Sequence, residues 1–470
     1  MIKSLAFTDL PPEIIDLIIS YLQAPHELLP LLRVLPHLAS TLSTAKVCAA
    51  SEDKETIIHL AAKQGNLALL IALLDHPSTS AFLAASPSPT PTPPDLDSPY
   101  FIREPVERPT PTPLALAASA GHVAIIALLL ARPETSAATR GGALICAARN
   151  GHAPVVALLL AREDVNPNVL DLDTQCTPLA LAAMKGRAKV VAMLLARDDV
   201  EADALSDEGR TPLCWAAVNG HRAIVKMLLG RGDVDLNGRA REAWDLITPL
   251  MWAAMSGDGE VVGMLLAREE VRVGLRDSRG RTALAWAVMT GRSEAVKVLL
   301  RRKDVDVNAC DVHGTPVLVA AVRQRFVDVL ALLLQREEAD VEIRDKDGMT
   351  ALSLAAVEGD LDSAELLVRW GLDVNARDKD GCTPLMLAAK LGRWAVVKML
   401  LGSDGVDIHA RDATGRSALS LAAQQGELKT VALLLERGCV DVNARDLSVR
   451  LAQAQAVDGE AREEIYRRGF

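Results

Sequence analysis

The sequence predicts an all-α solenoid of helix-turn-helix units with β-hairpin loops, preceded by a small N-terminal helical segment. Three observations predict it: a seven-residue phrase recurring every 33 to 37 residues along most of the chain, a glycine at a fixed distance after nearly every phrase, and an interior almost without rings. Of 470 residues, 50% are hydrophobic and only 3% aromatic. Such a core must be Ala, Leu and Val, which suits helices packed close together.

The phrase reads Thr112-Pro-Leu-Ala-Leu-Ala-Ala and returns at Thr177, Thr211, Thr248, Thr282, Thr315, Thr350, Thr383 and, with serine in first place, Ser417. Weaker copies begin at Thr56 and Gly142. From Thr177 the starts lie 34, 37, 34, 33, 35, 33 and 34 residues apart. One supersecondary unit is being repeated. The threonine hydroxyl caps a first helix and proline fills its first position at no cost. The Ala-Ala pair keeps that helix thin. Three residues later comes a glycine, such as Gly121, Gly186 or Gly392, suited to a left-handed stop. A second helix follows, with apolar residues at helical spacing, as in Val190, Val191, Leu194 and Leu195. A polar stretch such as 373–381 then supplies the Asp and Gly of a tight turn.

Phrase, glycine, second helix and hairpin recurring in phase resemble the ankyrin repeat, over about residues 52 to 446 and eleven copies. The family's histidine after Thr-Pro-Leu survives only as His59, which implies a more apolar inner layer. The turn glycine is missing at Gln324, and Gln175 replaces a hairpin glycine. The loop between Leu236 and Thr248 is irregular, carrying Arg239, Arg241, Glu242 and Trp244.

The expected organisation is a helical segment over 1–48, a first repeat over 52–76, a Pro-rich flexible insertion over 77–111, ten repeats over 112–446, and degenerate capping helices over 447–470. Ten prolines between Ser86 and Pro113 exclude helix and central strand there. The insertion reads as a tolerated surface loop. Its Ser-Pro and Thr-Pro steps (Ser86, Ser88, Thr90, Thr92, Ser98, Thr110) also read as proline-directed phosphorylation sites or a polyproline docking segment. At the N-terminus, Leu10-Pro11-Pro12-Glu13-Ile14 opens an Ile-rich helix and resembles an F-box over about 40 residues. The resemblance implies that Leu10, Pro11, Ile14, Ile15 and Ile18 sit in the groove of a Skp-type linker subunit. Pro30 and Pro36 are expected to interrupt the second half, a departure from the family. The same apolar stripe also reads as a cover for the exposed edge of the first repeat.

No nucleotide-binding loop, nucleophile elbow or metalloprotease helix is present, so neither an enzyme nor a cofactor is expected. His122, His152 and His221 follow turn glycines, a position structural in the ankyrin family. The acidic pairs Asp198-Asp199 and Glu337-Glu338 read as solvated charge, and Arg301-Arg302-Lys303 suits a helix C-terminus. A net charge of −10 disfavours a general nucleic-acid surface. Seven scattered cysteines, no signal-like N-terminus and no long apolar run place the chain inside the cell, cytoplasmic or nuclear, away from membranes.

What a stacked array offers is a protein-binding face of hairpin tips and first-helix sides. The candidate contacts are Glu208, Arg210, Arg279, Arg281, Met349, Lys379, Asp380 and Arg416, with Lys346 and Cys382 beside them. Trp215, Trp252 and Trp286 hold one position in three successive repeats. They read first as filler between repeats and second as an aromatic contact strip. The function that follows is protein recognition, either as a substrate adaptor of a cullin-type ubiquitin ligase or as a stand-alone scaffold or inhibitor.

Overall fold

The structure, a computed structural model, describes residues 25–34, 36, 42, 56–74, 111–133, 135–238 and 246–436. The segment 10–18, nearly all of the Pro-rich insertion, the loop 239–245 and the expected cap 447–470 lie outside them. The chain divides into two compact units, Met1–Asp235 and Leu236–Phe470.

The first unit begins with α1 (Pro25–Val34) and continues in helix pairs: α2 (Ile57–Gln64) and α3 (Leu67–Leu74), α4 (Pro113–Ala120) and α5 (Val123–Leu130), α6 (Ala137–Asn150) and α7 (Ala153–Leu160), α8 (Pro178–Met184) and α9 (Ala188–Leu195), α10 (Pro212–Val218) and α11 (Arg222–Leu229). The second unit holds α12 (Pro249–Ser256) and α13 (Gly259–Leu266), α14 (Ala283–Met289) and α15 (Ser293–Leu299), α16 (Val317–Arg323) and α17 (Val327–Leu334), α18 (Ala351–Glu358) and α19 (Leu361–Arg369), α20 (Pro384–Lys390) and α21 (Trp394–Leu401), α22 (Ala418–Gln425) and α23 (Leu428–Glu436). Within each unit, first helices pack on first helices and second on second.

The phrase does what its chemistry dictates. Thr177 Oγ1 accepts the N–H of Ala180 at 3.2 Å, and Thr112, Thr211, Thr248, Thr282, Thr350, Thr383 and Ser417 cap their helices alike. Each cap is worth about 1 kcal/mol. The Ala pairs, for example Ala182 and Ala183, are sealed from water, as are Val190, Val191 and Leu194 of α9. A fully buried Val or Leu contributes roughly 1.5–3 kcal/mol. No single pair encloses these faces; its neighbours complete them.

Two starts fall elsewhere than the phrase places them. At Thr315 the helix begins one residue late: Pro316 is the N-cap, and its ring offers no acceptor for a cap hydrogen bond. Measured from Gly314, Thr315 stands where Arg210 stands after Gly209, and the cap spacing becomes 34 residues on both sides. The missing turn glycine is accordingly Arg325, at φ 60°, with Gln324 as the C-cap. The copy at Gly142 starts earlier, at Ser136, because α6 runs for 14 residues and takes Gly142 into its interior. Gln175 does adopt the left-handed conformation of the glycine it replaces, at φ 50°. Pro30 does not interrupt α1; it lies exposed within it, while Leu28, Leu29 and Leu32 are buried and the helix packs on α2.

No strand forms among the described residues; the hairpins are tight turns, with one isolated bridge between Cys310 and Pro316. The backbone donors that a ladder would use go to an aspartate instead. Asp345 Oδ1 accepts from Asp347 and Met349 N–H at 2.9 Å each, and Asp378 Oδ1 accepts from Asp380 at 3.0 Å and Cys382 at 2.8 Å.

Two side-chain ladders join repeats. His122, His152 and His221 reach back across the preceding turn, with His152 Nε2 2.9 Å from the Ser119 carbonyl. Arg187, Arg292 and Arg393 do the same through Nε. These rings and stems lie over the turn glycine of the previous repeat: a Cβ on Gly121 would fall 2.5 Å from His152 Nδ1. The second ladder adds to the reading of the acidic pairs: all four acids are exposed, but Asp199 and Glu338 each also hold an arginine. Arg197 Nη1 donates to the Leu160 carbonyl at 2.9 Å, and Asp199 holds the same guanidinium at 2.6 Å. Arg302 with Asp304 and Arg336 with Glu338 repeat this on Leu266 and Leu300. The basic residue thus satisfies the helix end of its neighbour, where free carbonyls collect.

Candidate protein-recognition surface

The tips of the second unit show how a fixed frame presents variable side chains. In five successive turns an aspartate (Asp277, Asp311, Asp345, Asp378, Asp412) takes the N–H groups two and four residues on through Oδ1. Neighbouring tips are then tied backbone to backbone: Val312 N–H to the Arg279 carbonyl at 2.9 Å, Lys379 to Asp347 at 3.2 Å, and Ala413 to Asp380 at 2.9 Å. The polar main chain is satisfied, which leaves the side chains between Asp and Gly to face water.

The predicted contacts divide by burial. Glu208, Arg279, Lys346, Lys379 and Asp380 are exposed. Arg210, Met349, Arg416, Trp252 and Trp286 are half-buried. Arg281 and Trp215 are turned inward, only 7% and 9% exposed. The second-unit Arg281 stacks on the Trp286 ring at 3.8 Å and gives its Nε to Asp277 Oδ2 at 2.8 Å. Trp286 Nε1 donates to that same oxygen at 3.1 Å. Trp215 lies in the first unit against Ile145, Cys176, Ala180 and Leu181, with Arg210 over its ring at 4.4 Å. Arg281 and Trp215 are therefore parts of the frame, and a tip position alone does not expose a side chain when an acid lies beneath it.

Cys382 is buried as well. Its burial, with Asp378, Asp412 and Asp380 close by, pushes the thiol up to about 11, so it stays protonated at neutral pH. Arg416 pairs with Asp412 at 2.8 Å. Burial works against that carboxylate's charge, but the Arg416 and Thr414 N–H groups, the Thr414 hydroxyl and the guanidinium outweigh it and bring Asp412 to about 2. One exposed tip side chain escaped the sequence reading. Val312 is 62% exposed at a tip, in the place that Lys346 and Lys379 hold in their turns, and that register was the signal that could have found it. Leu170 and Leu172 are exposed on the corresponding loop of the first unit.

The described residues contain no group of three His, Cys, Asp or Glu arranged to hold a metal ion, and no helix long and apolar enough to cross a membrane. Paired thin helices, capped alike and joined through satisfied tips, define a repeat array of the kind that binds proteins through its surface. The family model described as ankyrin repeats (3 copies) matches residues 98–171, 144–240, 234–311, 303–378 and 371–446. The chain belongs to the ankyrin-repeat family, whose members serve protein–protein interaction. Among solved structures it is similar to the ankyrin repeat domain of Bcl-3, described as a unique member of the IkappaB protein family. The identity is 26%, the match covers 48% of this chain and 99% of that one, and the TM-score is 0.44. No curated protein matches this chain.

Proposed function

We propose that the array holds a protein target on its exposed tips and half-exposed indoles, and that the N-terminal segment couples that target to a cullin-type ubiquitin ligase through a Skp-type linker. The observation that carries the first half is the separation of roles in the tips: Asp and Gly are consumed by the turn, while Arg279, Lys346, Lys379, Asp380 and Val312 remain exposed. Their mixed charge and single apolar member suit a polar protein or peptide surface. The ligase half rests on the F-box resemblance of Leu10, Pro11, Ile14, Ile15 and Ile18. A stand-alone scaffold or inhibitor is the second reading, and the packing of α1 on α2 favours it, because part of the N-terminal region then serves as a cap.

Pull-down of purified full-length chain with a Skp-type subunit separates the two. Retention by the wild type and loss in Leu10→Ala/Pro11→Ala is the adaptor outcome. No retention by the wild type removes the ligase link and leaves the scaffold. For the target face, Trp252→Ala is expected to weaken capture of a partner recovered by affinity purification at least tenfold while moving the melting temperature little. A large melting shift with unchanged capture assigns that indole to the frame.

A further inference from the structure

Behind six of the described tips, a side chain brackets the next repeat's loop; at the equivalent Gly274 there is none. Four of these are asparagines, and each makes the same two bonds. Asn168 accepts the Glu201 N–H at 2.9 Å and donates to the Asp199 carbonyl at 2.7 Å. Asn237, Asn308 and Asn375 repeat both bonds with Arg272 and Glu270, Asp340 and Glu338, and Asp407 and Gly405. The accepted N–H always lies two residues after the bonded carbonyl. At 203 the chain has aspartate. Its Oδ2 accepts the Asp235 N–H at 2.7 Å, the first bond of the bracket. Its Oδ1 is sealed from water with no hydrogen-bond partner among the described residues. By the register of the other four, the second partner is the Asp233 carbonyl, and a carboxylate has no hydrogen to give it.

We propose that Asp203 is an acid-sensitive latch between successive repeats, closed when a proton from water lets its carboxyl donate to the Asp233 carbonyl and half-open when it is ionised. The charged surroundings push the same way. Asp235 and Asp233 of the following loop add negative charge near the carboxylate. Arg231 is turned to Asp233 at 2.5 Å, and no ion pair to Asp203 forms among the described residues. Cys214 of α10 is close enough for Asp203 and Arg210 to act on it, and burial raises its thiol, so it carries no charge. Burial above all, and then the two aspartates, raise the Asp203 carboxyl above its ordinary range against the single N–H that lowers it. A folded-state value raised in this way makes the contribution complete below the unfolded carboxylate range and removes it as pH climbs through the folded value. Glu342 fills the equivalent place with a longer side chain and takes the Asp373 N–H at 2.7 Å, so an acid alone does not make the latch; the sealed second oxygen does.

Amide hydrogen exchange of the full-length chain, read on peptides covering 231–237 between pH 7.5 and 4.5 and corrected for intrinsic rates, tests this. Protection in the wild type is expected to rise about three- to tenfold on acidification, the range of one added hydrogen bond. In Asp203→Asn it is expected to be high throughout, and Asn308→Asp is expected to install the same pH dependence on 338–340. Equal protection in wild type and Asp203→Asn at every pH overturns the proposal, as does protection that falls on acidification. Because the readout is local, the outcome is independent of whether the chain binds a ligase subunit.

Discussion

The tips before α14 and α10 carry the same arginine-over-indole stack and differ in the residue beneath it. Under Trp286, Asp277 accepts from Arg281 Nε and Trp286 Nε1 through Oδ2 and from two backbone N–H groups through Oδ1. Under Trp215 stands Ser206, whose hydroxyl takes only the Arg210 N–H at 3.2 Å. The Trp215 Nε1 is then buried with no hydrogen-bond partner among the described residues, and Arg210 turns a guanidinium nitrogen to the exposed Glu208 at 3.3 Å. Stacking therefore survives without the acid, but satisfaction of the buried donor does not. A cation over an indole contributes about 0.5–2 kcal/mol, and an unpaired buried polar group costs about 1–3 kcal/mol. The two terms are comparable, so one tip is well fixed and the other is near balance.

The largest effect should come from turning the first tip into the second. Asp277→Ser strands the buried Arg281 charge and is expected to cost about 3–5 kcal/mol, read as a fall in the denaturant midpoint. A cost below 1 kcal/mol would mean that the stack, and not the carboxylate, holds this tip. Next come the turns that both units share. Gly121→Ala drives a Cβ into His152, whereas Gly426→Ala meets nothing within 4 Å among the described residues, and both have positive φ. The first substitution is expected to be the more costly by about 1–2 kcal/mol. Equal costs would leave backbone conformation as the sole reason for glycine.

A gain is expected from the reverse exchange. Ser206→Asp gives Trp215 Nε1 an acceptor and should stabilise the first unit by about 1 kcal/mol, measured by thermal unfolding with indole fluorescence. The smallest effect belongs to a third arginine-bearing tip, Asp412 with Arg416, which has Leu421 where the other two have an indole. Its carboxyl is lowered to about 2, so its contribution is present above the ordinary carboxylate range and is lost as pH falls from about 4 toward 2. The stability difference between wild type and Asp412→Asn is expected to shrink over that window; a difference flat down to pH 2 would break the assignment.

The repeat phrase was legible because its requirements are local. A threonine cap, a proline at the first helical position and a left-handed glycine act within a few residues, so Thr177, Pro178 and Gly186 declare themselves in any context. The slip at Thr315 shows the limit: the residues of the phrase were present, but the distance from Gly314 set the register, and Pro316 took the cap. Partnerships between repeats were less legible. Arg197 was visible only as part of a charged loop, yet it satisfies a carbonyl 37 residues earlier and makes Asp199 its partner.

The sequence by itself determined the repeated helix pairs, their caps and their membership of a protein-binding family, since each rests on short-range backbone chemistry and on the period of apolar residues. Tertiary structure alone decided which tip side chains are offered and which are spent. Arg279 and Arg281 are two residues apart with the same charge, and only the folded turn sends one to water and the other onto Asp277 and Trp286. That choice depends on what lies beneath the chain, which no local pattern records.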